Sequence, residues 1–144
     1  MLVQQILKSK GDQSVVTVLP ESTVAEAAAV LAKYGIGTVL VSSDGKKPEG
    51  ILSERDIVRH LARNGASVLD ARVDSLMTKN LKTCGRDART HEVMRTMTDG
   101  RFRHMPVVED GELIGVISLG DTVKAQLSHL EMEKEALEGM IMGQ

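Results

Sequence analysis

The segment Gly50-Ile-Leu-Ser-Glu-Arg-Asp56 is spelled again as Gly115-Val-Ile-Ser-Leu-Gly-Asp121, at an offset of 65 (115 minus 50). A glycine, two apolar residues, a serine and an aspartate three places on recur in the same order. Either copy alone reads as a strand running into a capped helix. The duplication requires two equivalent units, and this restricts the fold more than any other feature of the chain.

The repeat extends well beyond this signature. Residues 17–45 align with residues 83–111 at an offset of 66 (83 minus 17), so that Thr17 meets Thr83, Val41 meets Val107 and Asp44-Gly45 meets Asp110-Gly111. One extra residue in the first copy's following loop accounts for the change of offset. In the first copy a β-type segment at Thr17–Leu19 precedes a capping signature of Ser22, Thr23 and Glu26. Val24, Ala27, Ala28 and Leu31 then follow at helical spacing, and Gly35 ends that helix. Thr38–Ser42 is β-branched and bounded by Asp44-Gly45, predicting strand, turn and a second strand at Gly50–Ser53. A helix from about Glu54 to Arg63 stops at Asn64-Gly65. In the second copy Val93, Met94 and Met97 mark the helix, and Met105–Val108 and Leu113–Ser118 mark the strands.

Each unit is therefore strand–helix–strand–strand–helix, and the fold class is α/β (α+β). A unit of this size is too small to bury its own sheet face, so the two are expected to pack about a pseudo-twofold axis into one module. The expected division is 1–65 for the first repeat, 66–76 for a linker, 77–128 for the second repeat and 129–144 for a C-terminal helix extension. In that extension Val123, Leu127, Leu130, Leu137 and Ile141 continue a stripe at spacings of 4, 3, 7 and 4, with Lys134 in the intermediate slot. Glu131, Glu133 and Glu135 solvate the other face. Such a stripe needs cover, and a homodimer contact is expected; the alternative is a helix folded back on its own core.

Composition excludes several functions. Net charge is −2, which provides no broad positive field for nucleic acid. Tyr34 and Phe102 are the only aromatics, too few for base-stacking platforms. The core must come from Val, Ile, Leu, Ala and Met, and the eight methionines are assigned to it. Cys84 is the single cysteine, so no intrachain disulfide or cysteine zinc cage can form; it reads as a small buried filler. The start, MLVQQILKSKG, is no signal peptide, and no apolar run approaches a membrane span; a cytoplasmic protein is expected. His60, His91 and His129 fall on helices without metal-ligand spacing to one another. No base stands beside a nucleophile, and no carboxylates cluster. No catalytic residue and no metal site is expected.

The chemistry rests on Ser-x-x-Asp. As local structure it is a helix capping box. As a binding element, the same turn presents unpaired N–H groups and the positive end of a helix dipole to an anion. Its serine hydroxyl can reach a phosphate, and its carboxylate can accept both hydroxyls of a ribose diol.

Two ordered units of this pattern, each ending in Gly, two apolar residues, Ser, two fillers and Asp, resemble tandem cystathionine-β-synthase (CBS) domains. The likeness covers roughly residues 1–128. It implies a regulatory rather than catalytic module that binds an adenosine-containing ligand (AMP, ADP, ATP, NAD(H) or S-adenosylmethionine) in the cleft between repeats. It also implies a homodimer acting as an energy sensor in signal transduction on an unidentified protein. Carried over, Ser53 and Ser118 match the hydroxyl position that contacts phosphate or ribose, and Asp56 and Asp121 match the ribose acid. Arg103 and His104 precede Pro106 where nucleotide-binding members place phosphate-contacting bases, and Arg55 stands at a further basic position. Thr17, Gly37 and Met105 are expected around the adenine, with Gly37 letting a base edge approach the backbone, and Thr38 is a further expected ligand-binding residue.

The first repeat departs from the pattern, with Gly37 and Thr38 at the slots of Arg103 and His104 and Leu40 for the proline. In the second, Leu119-Gly120 provides no base. Arg55, Arg103 and His104 are therefore expected to converge on a ligand held by Asp56, making that the better nucleotide site, with Asp121 the poorer. Competing classes are a ligand-free structural adaptor acting through its C-terminal helix, a small nucleotide-handling enzyme, and an RNA binder.

Overall fold

The computed structural model describes residues 1–11 and 15–142. Residues 12–14 and 143–144, the latter the end of the expected C-terminal extension, lie outside the described residues. Helices are α1 (Val3–Lys10), α2 (Val24–Tyr34), α3 (Glu54–Asn64), α4 (Val73–Leu76), α5 (Thr90–Gly100) and α6 (Leu119–Met142), with a 3₁₀ turn at Ala66–Asp70. Strands are β1 (Thr17–Val18), β2 (Thr38–Val41), β3 (Gly50–Ser53), β4 (His104–Glu109) and β5 (Glu112–Ser118).

Contacts divide the chain into two compact units. One contains Ser14–Lys82 with Val108–Ile114, the other Met1–Gln13, Thr83–Val107 and Gly115–Gln144. In the first, β1 runs parallel to β2 and β2 antiparallel to β3, with Val18 opposite Val41 and Thr38 opposite Ser53. Val24, Ala27 and Leu31 line one face of α2 and close with Val39, Val41, Leu52, Ile57 and Val73 into a dry core. The second unit repeats the register: Cys84 forms a parallel bridge to Val107, the positions equivalent to Val18 and Val41. Val93, Met97, Met105, Val107 and Ile117 are buried there. Cys84 is half-buried, and that burial pushes its thiol up to about 11.

Each unit carries one helix more than the strand–helix–strand–strand–helix pattern, α1 in one and α4 in the other. Val73 N–H donates to Ser22 O at 2.7 Å, Asp74 N–H to Pro20 O at 3.0 Å, and Val24 N–H to Ala71 O at 2.9 Å. In the other unit Val3 N–H donates to Ala88 O at 2.9 Å, Gln4 N–H to Arg86 O at 3.0 Å, and Thr90 N–H to Met1 O at 3.0 Å. The two sets are one pattern, with α1 and α4 as equivalents at an offset of 70 (73 minus 3). The first N–H groups of a helix have no partner within it. Each set supplies carbonyls to the N-termini of two helices at once. The chain start therefore belongs by contact with the second repeat and not with residues 14–65, and the linker packs on the first.

The same packing explains the glycines that open the duplicated segment. A Cβ on Gly50 would collide with Met77 Sδ, and one on Gly115 would lie 2.5 Å from Leu7 Cδ2. Met77 and Leu7 are themselves at the offset of 70.

The assignment of the methionines to the core is corrected. Met97 and Met105 are buried, but Met1, Met132, Met140 and Met142 are exposed. Three of these ride on α6, whose 24 residues span about 36 Å. Its first turns pack on α5 and α1, whereas every residue from Leu130 to Met142 is exposed.

Candidate functional site

Both Ser-x-x-Asp segments form strand-to-helix turns. At the first, Ser53 is extended and caps α3. Its Oγ accepts from Asp56 N–H at 3.2 Å, while Asp56 Oδ2 accepts from Ser53 N–H and from the Ser53 hydroxyl, both at 3.0 Å. Arg59 Nη1 lies 3.5 Å from Asp56 Oδ1. At the second, Ser118 Oγ accepts from Asp121 N–H at 3.0 Å and Asp121 Oδ2 accepts from Ser118 N–H at 2.9 Å. The residue after each serine donates its N–H to the residue that precedes the neighbouring strand: Glu54 to Gly37 O, before β2, at 2.9 Å, and Leu119 to Arg103 O, before β4, at 2.7 Å.

A basic residue distinguishes the two carboxylates. Lys10 Nζ donates to Asp121 Oδ2 at 2.9 Å and to Val116 O at 3.1 Å. Burial acts to raise the Asp121 carboxyl; the Ser118 backbone bond and the bond and charge of Lys10 outweigh it and hold the group below its ordinary range. Sequence reading missed Lys10. The available signal was VQQIL at residues 3–7 set against VDSLM at 73–77, which places α1 beside the second repeat.

The eleven expected site residues fall into two groups. Thr17, Gly37, Thr38, Ser53, Arg55 and Asp56 lie in the unit of β1–β3; Arg103, His104, Met105, Ser118 and Asp121 lie in the unit of α5 and α6. Within the first group Thr38 is paired across the sheet with Ser53, and a Cβ on Gly37 would lie 3.3 Å from Glu54 Oε1. Arg55 is exposed on the first turn of α3. Within the second, Met105 is buried in the core. Arg103 and His104 line an open groove of about 660 Å³ with Ser118, Leu119 and Gly120, and α6 closes its other side with Val123, Lys124, Leu127, Ser128 and Glu131. The basic pair assigned from sequence to the Asp56 end thus stands beside the Ser118 turn in its own unit, joined there by Lys124. No cluster of potential metal ligands occurs among the described residues, and no described helix is long and apolar enough to cross a membrane.

The CBS domain family model matches residues 8–63 and 73–128. A CBS-domain containing protein of Agrobacterium tumefaciens superposes with a TM-score of 0.83 at 44% identity, over 88% of this chain and 99% of that one. A CBS domain protein of Pyrobaculum aerophilum, complexed with AMP, gives 0.73 at 27% identity, over 84% and 89%. The CBS domain pair of protein MJ0100, in complex with 5′-methylthioadenosine and S-adenosyl-L-methionine, gives 0.74 at 26% identity, over 93% and 98%.

Proposed function

The chain belongs to the CBS domain family, and from that premise we propose that it is a non-catalytic regulatory module which binds an adenosine-containing nucleotide and signals by a change of conformation or partner affinity. The observation that carries this reading is the pair of matched turns, each presenting a serine hydroxyl, an aspartate carboxylate and a helix N-terminus. The AMP and S-adenosylmethionine complexes of two similar structures support the ligand class.

Asp56 is the proposed ribose acid of the stronger site. Asp121 already holds Lys10 at 2.9 Å, whereas the cation nearest Asp56 is 3.5 Å away on an exposed arginine. Ser53, Arg55, Arg103, His104 and Ser118 are the proposed phosphate and ribose contacts, Thr17, Gly37 and Met105 the proposed adenine surroundings, and Thr38 a further proposed ligand-binding residue. AMP, ADP, ATP or NAD(H) is the expected ligand, and the module acts as a homodimer. The exposed distal half of α6 favours a second reading, a ligand-free adaptor dimer that works through that helix.

A thermal-shift panel of AMP, ADP, ATP, NAD⁺, NADH and S-adenosylmethionine separates the two. Asp56→Asn and Asp121→Asn are the variants of choice, because an amide oxygen can still accept the capping bond. A ligand present at 100 times its Kd adds about 2.7 kcal/mol. One adenine nucleotide should give that shift, with Asp56→Asn reducing it more than Asp121→Asn. If no ligand moves the melting point, the turns are caps only and the adaptor reading replaces the sensor.

A further inference from the structure

The groove and the exposed helix belong to the same unit, the groove with a small cationic excess and the distal helix with an acidic one. Along the groove Arg103 and Lys124 outnumber the single acid Glu131, beside His104 and the apolar Val123 and Leu127. Distal α6 carries Glu131, Glu133, Glu135 and Glu138 against Lys134 alone, which lies 4.0 Å from Glu138 of its own helix. The negative end of the helix dipole adds to that excess. Leu130, Leu137 and Ile141 are 56%, 60% and 72% exposed and continue the line of Val123 and Leu127. Their spacing is that of alternating heptad core positions, the pattern of a helix that packs along another helix.

We propose that a second copy of this chain covers this face, with the two α6 helices antiparallel, so that the distal half of each lies along the groove of the other. This rests on the homodimer reading above and goes beyond it by fixing orientation and register. Antiparallel alignment centred near residue 132 sets Val123 against the partner's Ile141 and Leu127 against the partner's Leu137. Leu130 then meets the stem of the partner's Lys134, whose ammonium reaches Glu131. Lys124 stands beside the partner's Glu138. A parallel pair would instead oppose Lys134 to the partner's Lys134 and Glu133 to the partner's Glu138, like charges that destabilise a pairing. It would also leave the cationic groove without its acidic complement.

The test is disulfide trapping of the full-length chain in a Cys84→Ala background, after sedimentation has established the mass. Leu127→Cys and Leu137→Cys are prepared separately, and circular dichroism checks that each keeps its fold, as the exposure of both sites leads one to expect. Mixed together they should give a covalent dimer between unlike chains, and neither variant alone should cross-link. Leu137→Asp should weaken the dimer at least tenfold. Efficient self-linking of Leu127→Cys overturns the antiparallel orientation while the homodimer stands. A dimer indifferent to Leu137→Asp and without cross-links overturns the placement on α6, again leaving the homodimer. A monomer at every accessible concentration overturns both.

Discussion

Replacing Thr90 with valine should stabilise the protein, and the repeat provides the control. Thr90 is fully buried at the start of α5, and among the described residues its hydroxyl has no hydrogen-bond partner. The equivalent position of the first repeat, 66 residues earlier, is Val24, also fully buried and starting α2. Both backbone N–H groups donate to a carbonyl of the docked segment, at 3.0 Å for Thr90 and 2.9 Å for Val24. The substitution therefore exchanges a hydroxyl for a methyl and leaves the backbone pattern intact. A buried polar group without a partner costs about 1–3 kcal/mol. Helix propensities of Thr and Val are nearly equal, so they contribute little. Thr90→Val should gain about 1–2 kcal/mol, which for a chain of this length raises Tm by roughly 3–8 °C. Urea unfolding followed by circular dichroism should show a higher midpoint with an unchanged slope. The mirror variant, Val24→Thr, should lose a similar amount. A lower midpoint for Thr90→Val, or no loss for Val24→Thr, would mean that the buried Thr90 hydroxyl carries no such cost.

Two further outcomes follow from the same comparison of repeats. Arg101 ends α5 in the left-handed region at φ 58°, where the first repeat has Gly35 at φ 62°. Arg101→Gly should gain about 1 kcal/mol, because a side chain in this conformation is strained and glycine is not; an unchanged or lower Tm would count against it. At the Lys10–Asp121 pair, Lys10→Met should cost about 1 kcal/mol or less near neutral pH, the range of partly exposed ion pairs. The Asp121 carboxyl is depressed in the folded protein, so its stabilisation is present above the unfolded pKa, about 4, and is lost as pH falls through that value toward the folded one. Tm measured from pH 6 to pH 3 should therefore fall less steeply for Lys10→Met than for the parent, and parallel curves would remove Lys10 from the account.

Much of the fold was legible because its signals are local. The spacing of Val24, Ala27 and Leu31, the Thr23 cap and the Gly35 stop are readable within a dozen residues, and α2 runs between those caps as read. Strand β3 at Gly50–Ser53 and α3 from Glu54 likewise follow from the serine cap and the helical period after it. The MLVQQILKSKG segment shows no such cap, and its lysines interrupt the apolar run. Its helix start is held by Ala88 and Arg86 carbonyls more than eighty positions away, and the nearby signals, Gln5 accepting from Leu2 N–H and Gly11 at the end, are weak beside them. The methionines were misplaced for a related reason. A side chain's chemistry permits burial, but α6 outruns the surface available to cover it.

The candidate site divides along the same line. The sequence alone determined that two equivalent turns exist, that each carries a serine and an aspartate three residues apart, and that one strand brings two basic residues. These are properties of spacing and of backbone capping, which act over a single turn of chain. Long-range packing is what puts Lys10 on the Asp121 carboxylate, Arg103 and His104 in a groove with α6, and Met77 and Leu7 against Gly50 and Gly115. Each of those joins residues far apart in the chain, and their meeting depends on which segment docks on which helix N-terminus, a choice made by unpaired backbone groups and apolar faces seeking partners.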